Sequence, residues 1–231
     1  MAEITINASD GGTFSAYLAK PDKTPAPGLI LIQEIFGVNT EMRRKVDAFA
    51  AAGFLTLCPD LFWRQEPGVQ LTDQTQAEWD KAFALYKGFH EAKGVQDLIA
   101  TLFHVRGLTE CSGSVGTIGY CLGGKLAYLM ATRSDADCSV GYYGVGIEGA
   151  LDEANAILQP LLLHIAEKDE FVPKAAQDEI KRALARHPCV TIHSYPNVNH
   201  AFARGNGVHY DKEAAGRADR RTLDFLKAHL V

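Results

Sequence analysis

Two hydrophobic rhythms alternate along this chain. The segments 28–34 (GLILIQE), 54–60 (FLTLCPD), 115–120 (VGTIGY), 139–144 (SVGYYG), 160–169 (PLLLHIAEKD) and 190–196 (VTIHSYP) are short and apolar. The nearly continuous run 28–34 suits a strand buried on both faces of a parallel sheet, 54–60 reads as a second buried strand, and the others read as further strands. Between them, apolar positions recur at helical spacing, as in Met42, Val46, Phe49 and Ala50 before Gly53. The spacing predicts helices over 40–52, 121–132, 173–186 and 211–229. It also predicts a helical stretch over 72–103, broken near Gly88 and Gly94. Ahead of these, 3–7 and 13–19 alternate around Ser9-Asp10-Gly11-Gly12, the pattern of an N-terminal β-hairpin. The βαβ rhythm implies an α/β fold, a mostly parallel central sheet with helices on both faces. No repeat or linker interrupts it, so one domain over 1–231 is expected.

Composition narrows the function classes. Of 231 residues, 47% are hydrophobic and 22% charged, ordinary for a globular chain with a large core. No run approaches the roughly 20 apolar residues of a membrane span, and the N-terminus lacks a secretory pattern. A net charge of −5 argues against a nucleic-acid partner, which needs a basic face. The five cysteines are odd in number, dispersed and without a CxxC pair. That pattern reads as reduced thiols in a cytoplasmic protein and not as a metal site. A monomer is expected.

One cysteine stands apart. Gly119-Tyr120-Cys121-Leu122-Gly123, followed by Gly124, is the G-x-S-x-G nucleophile elbow of α/β-hydrolases with cysteine for serine. The elbow is a strained strand-to-helix bend, so the residues two positions either side of the nucleophile must be small. The nucleophile then sits at a helix N-terminus, which favours a thiolate. The N–H of Leu122 faces the place where an oxyanion forms.

A thiol nucleophile needs a base, and the base an orienting acid, in the order nucleophile, acid, histidine. Asp169 ends the strand PLLLHIAEKD, and His200 follows the strand VTIHSYP. Both lie at carboxyl ends of strands, where open α/β sheets bind ligands. The other histidines fit less well, His164 because it lies within a strand. Glu34 closes another apolar strand ahead of Ile35-Phe36-Gly37, the region of the second oxyanion donor. Beside a thiol, a carboxylate accepts its proton or raises its pKa, depending on its own state.

With these residues in place, the sequence closely resembles the dienelactone hydrolase family, the carboxymethylenebutenolidases. The matching blocks are Gln33-Glu34-Ile35-Phe36-Gly37-Val38-Asn39, Cys58-Pro59-Asp60-Leu61, 119–124, 141–146, 169–173 and 200–204. The resemblance implies a triad of Cys121, His200 and Asp169, with Glu34 as partner of the resting thiol. It implies oxyanion donors at Ile35 and Leu122, and Arg204 as the binder of a substrate carboxylate. Phe36, Trp79, Tyr143 and Phe171 are the remaining expected substrate contacts. The implied reaction opens a dienelactone to maleylacetate without metal or cofactor.

One departure stands out. The resemblance calls for a second carboxylate-binding arginine in the helix after Cys-Pro-Asp, and Trp79 falls at or beside that place. Lys81 is the nearest cation, and Phe83 stands where a tyrosine is expected. A more apolar pocket follows as an expectation. The rival readings are a carboxylesterase or lactonase for a less anionic substrate, and a non-catalytic thiol sensor or ligand-binding member.

Overall fold

A computed structural model describes residues 2–231, which cluster into two compact units divided in sequence between Gly116 and Thr117. The strands follow the order β1-β2-β4-β3-β5-β6-β7-β8 in an eight-stranded sheet.

In the first unit, β1 (Ala2–Asn7) and β2 (Thr13–Ala19) form the expected hairpin, in register from Ala2↔Leu18 to Asn7↔Thr13. β2 also pairs antiparallel with β4 (Leu55–Pro59), and β4 pairs parallel with β3 (Ala26–Ile32). Leu29 to Ile32 and Leu55 to Cys58 are fully buried, as uninterrupted apolar runs require. Between these strands lies α1 (Thr40–Ala51), capped by Asn39, whose Oδ1 accepts from Met42 N–H at 3.0 Å. Its apolar stripe of Met42, Val46 and Ala50 is buried.

The helical stretch after β4 divides into α2 (Gln76–Gly88) and α3 (Glu91–Arg106). The break falls at Phe89–His90, and Gly94, expected to interrupt the stretch, lies inside α3. A Cβ at Gly94 would overlap the Phe89 ring. This glycine therefore serves packing: the chain leaves α2, and Phe89 folds back onto the first turn of α3.

β5 (Cys111–Tyr120) runs from the first unit into the second. It begins earlier than its apolar run suggests, because Cys111 to Ser114 are polar and only partly covered. The second unit continues with α4 (Leu122–Arg133), β6 (Cys138–Tyr142), β7 (Leu161–Ala166), α5 (Lys174–Leu184), β8 (Val190–Tyr195) and α6 (Lys212–Leu230). β6, β7 and β8 are parallel, from Ser139↔Leu161 and Leu161↔Val190 onward. β7 is buried throughout, whereas β8, the last strand, is half-exposed. A kinked 3₁₀ segment, Ile147–Ala156, was not legible as an element in the sequence. Among the described residues, no helix is long and apolar enough to cross a membrane.

Candidate active site

The elbow fixes Cys121 between β5 and α4. Cys121 has φ 56° and ψ −115°, a left-handed backbone that non-glycine residues adopt only under constraint. Two sets of contacts supply that constraint. The Cys121 N–H donates to the carbonyl of Tyr142 on β6 (3.1 Å), and its own carbonyl accepts from Gly124 N–H (2.9 Å). A Cβ at Gly119 would overlap the Gly123 carbonyl, and one at Gly124 would overlap the Tyr142 carbonyl. The strand therefore bends back on the helix only with glycine at both places. Leu122 is the first residue of α4, a position whose N–H has no acceptor inside the helix.

His200 and Asp169 belong to the same unit and come together in it. The Nδ1 of His200 lies 2.9 Å from Oδ2 and 3.1 Å from Oδ1 of Asp169. An ionised carboxylate only accepts, so Nδ1 carries the proton. Asp169 is itself anchored: its Oδ1 accepts from the N–H groups of Phe171 (2.9 Å) and Val172 (3.2 Å). The imidazole sits between two ring edges, Tyr143 at 5.0 Å and Phe171 at 4.9 Å between centroids. Tyr143 and Ala201 also have positive φ, 39° and 60°, so backbone strain gathers around this histidine.

Charge sets the state of the imidazole. Burial alone would lower the His200 pKa, since it disfavours the cation. The negative charge at Cys121 and the bond from Asp169 outweigh it and raise the pKa to about 10. No well-formed hydrogen bond among the described residues reaches Nε2. Cys121 acts on the His200 pKa chiefly through charge.

Arg204 is buried in the turn that follows, its N–H donating to the Ala201 carbonyl and its carbonyl accepting from Gly207 N–H, both at 2.9 Å. Phe171 is partly exposed and Tyr143 is buried.

The remaining expected site residues belong to the first unit. Glu34 is buried, two residues beyond β3, and its carbonyl accepts from the Gln33 side chain at 3.3 Å. Ile35 and Phe36 are buried beside it. Trp79 on α2 meets Phe36 edge-on at 5.0 Å and stacks on Phe83 at 5.4 Å. Its indole N–H donates to the Asp73 carbonyl at 3.1 Å, which fixes the ring. Lys81, the nearest cation in sequence, is paired with Glu66 at 2.6 Å.

The sequence reading passed over two features. Gly144 packs against α4, since a Cβ there would come within 2.8 Å of the Gly124 carbonyl carbon, and Gly141 is similarly close to Gly124. This gives the block 141–146 a packing role: small residues let α4 approach β6. The second feature is Asn199, next to His200, whose side chain bonds across to Glu170. A polar residue in a polar loop carries no pattern that marks such a contact. Among the described residues, no three of His, Cys, Asp and Glu gather as a metal site.

An eight-stranded, mostly parallel sheet with an antiparallel N-terminal hairpin and a cysteine elbow at the end of β5 defines an α/β-hydrolase. The profile of the Dienelactone hydrolase family matches residues 14–230, and the chain belongs to that family. By that membership it is a hydrolase of the carboxylic-ester class. It is 52% identical to a putative carboxymethylenebutenolidase of Azospirillum brasilense over the whole of both chains. It is also 40% identical to the carboxymethylenebutenolidase of Pseudomonas putida, over 96% of this chain and 94% of that one. Among solved structures, a putative dienelactone hydrolase from Klebsiella pneumoniae superposes with a TM-score of 0.82 at 25% identity, covering 98% of this chain and 99% of that one.

Proposed function

We propose that the protein opens an ester or lactone bond through an acyl-thioenzyme on Cys121, with His200 and Asp169 as base and orienting acid. The observation that carries the reading is the Asp169–His200 pair at 2.9 Å, in the same unit as a cysteine held at positive φ by the elbow. The Cys121 thiolate attacks the carbonyl carbon, and the oxyanion is held by the N–H of Leu122. The resemblance adds Ile35 N–H as second donor and Glu34 as partner of the resting thiol; both roles rest on the sequence match. As the tetrahedral intermediate collapses, the protonated His200 gives its Nε2 proton to the departing alkoxide or enolate, and a thioester remains. His200 then takes a proton from water, which hydrolyses the thioester and frees the thiolate.

Cysteine limits the substrates. From a tetrahedral intermediate with a basic alkoxide, the thiolate is the better leaving group and returns to starting material. A stabilised enolate, as in dienelactone, leaves ahead of the thiolate, so activated esters and lactones suit this nucleophile. Dienelactone is the first candidate, and two of the relatives above carry the name of the enzyme that opens it. A burst of product from p-nitrophenyl acetate, absent in Cys121→Ala, is the expected result. Undiminished turnover in that variant would overturn the mechanism.

A second reading concerns the substrate alone. Trp79 lies at or beside the place of the second arginine that the resemblance calls for, and it meets Phe36 edge-on and stacks on Phe83. Lys81 is engaged by Glu66. Both observations favour a substrate with less negative charge than dienelactone. Comparable rates on dienelactone and on an uncharged ester of similar size are expected from it. A strong preference for dienelactone that disappears in Arg204→Ala would refute it. Five dispersed cysteines without a CxxC pair support a cytoplasmic enzyme of small molecules.

A further inference from the structure

The turns that carry Asp169 and His200 are tied to each other by a side chain that no part of the proposed chemistry uses. Past the last paired residues of β7 and β8, Ala166↔Tyr195, the main-chain bonds continue for two steps. Glu167 N–H donates to the Tyr195 carbonyl and Lys168 N–H to the Val198 carbonyl, both at 3.0 Å. Beyond that the second strand curls, with Asn197 at φ 66° and Ala201 at φ 60°. The next link is the amide side chain of Asn199. Its Oδ1 accepts from Glu170 N–H at 3.1 Å and from His200 N–H at 2.6 Å. Its Nδ2 donates to Glu170 Oε1 at 3.2 Å.

We propose that Asn199 and Glu170 form a latch that sets the separation of the acid and histidine turns, making Asn199 a positioning residue for the Asp169–His200 pair. The geometry is specific to this job. Glu170 is the immediate neighbour of Asp169, and Asn199 of His200, so the reciprocal bond clamps the chain one residue from each reacting partner. An amide is the group that fits, because it accepts from two backbone N–H groups while donating to a carboxylate. A third contact, His209 Nε2 to Glu170 Oε1 at 3.3 Å, joins the following loop to the same carboxylate. It lies half in solvent and adds little.

The latch rests on the assignment of His200 as base, but its test does not depend on turnover alone. The readouts are kcat and KM with an activated ester, and the His200 imidazole titration followed by NMR. In Asn199→Ala, kcat is expected to fall about ten- to a hundredfold with KM nearly unchanged, the scale of a small misplacement of a catalytic group. The His200 titration should move down from about 10 as the Asp169 bond loosens. Asn199→Asp keeps the acceptor but sets a carboxylate against Glu170, so it should also lose rate. Adding Glu170→Gln to it restores a donor–acceptor pair of opposite sense, and kcat should recover. Unchanged kinetics and titration in a folded Asn199→Ala would overturn the latch. So would an Asn199→Asp defect that Glu170→Gln leaves untouched, and this pair decides the matter if Asn199→Ala fails to fold. Persistent turnover in Cys121→Ala would count against the proposed mechanism, while the NMR titration would still report on the latch.

Discussion

Replacing Asp169 with asparagine tests the orientation of His200 without changing side-chain volume. In the wild type, Oδ1 of Asp169 accepts from Phe171 N–H (2.9 Å) and Val172 N–H (3.2 Å), while Oδ2 lies 2.9 Å from His200 Nδ1. An amide has one acceptor, and two backbone donors compete with one ring nitrogen for it. At about 1 kcal/mol per bond, leaving both backbone N–H groups facing an NH₂ costs about 2 kcal/mol. That is a preference on the order of thirtyfold for the amide oxygen to face the backbone. The NH₂ group then occupies the place of Oδ2 and donates to Nδ1, which must become an acceptor. His200 is left with its proton on Nε2, where it can take none from thiol or water. The expected kcat loss in Asp169→Asn is about a thousand- to ten-thousandfold, as for other triads trapped in the wrong tautomer. Global stability should fall by less than about 2 kcal/mol, because the backbone bonds survive. The assay is kcat on p-nitrophenyl acetate together with nitrogen NMR of the His200 ring. A variant with protonated Nδ1 and kcat within about threefold of wild type would refute the role of Asp169.

Three further outcomes follow from particular contacts. Gly119→Ala places a methyl group into the Gly123 carbonyl, so the elbow must open; a loss of at least about 1–3 kcal/mol in urea unfolding and a fall in kcat are expected, and wild-type values for both would contradict the packing argument. Burial holds the His164 pKa well below 6.5, with His193 and Arg221 adding to the effect, so the unfolded chain binds a proton there that the folded one does not. Stability from this group is therefore full above about 6.5 and declines as pH falls, by at most about 1.4 kcal/mol per pH unit, and urea midpoints should lose part of this acid slope in His164→Gln. His200 works in the opposite sense: its pKa is raised to about 10, so its contribution is complete below the unfolded value near 6.5 and vanishes as pH rises through 10. Asp169→Asn should flatten that alkaline limb, and an unaltered limb would argue against the Asp169 contribution.

β3, β4 and β7 were legible because each is a nearly continuous apolar run buried on both faces. The hairpin was legible from alternation around a glycine turn. What the pattern missed was tertiary in origin. Gly94 looks like a helix breaker by propensity, yet α3 accepts it because the ring of Phe89 needs the space its missing side chain leaves. The 3₁₀ segment Ile147–Ala156 mixes buried and exposed positions around a kink at Ala150 and so has no single period to read.

The candidate site divides along the same line. Cys121, Asp169 and His200 stand out in the sequence as candidates because a nucleophile elbow and strand-end loops impose residue types at set places: small neighbours, a strand before, a helix after. The residues that hold them are not restricted in this way. A neutral His164 within β7 lies 2.8 Å from Tyr195 Oη and 2.9 Å from Thr222 Oγ1, and its carbonyl accepts from Tyr143 N–H. This histidine joins β7, β8 and α6, and in sequence it was only a histidine within a strand. Asn199 is a parallel case: its neighbour His200 carries a motif, while its own partner, Glu170, is 29 residues away along the chain. Motifs record the groups that react, because the chemistry restricts their identity. The groups that set distances between them need only the right donors and acceptors, which many residue pairs supply. Recovery of the latch in the Asn199→Asp/Glu170→Gln pair would bear this out directly, since the identities change while the bonding pattern stays.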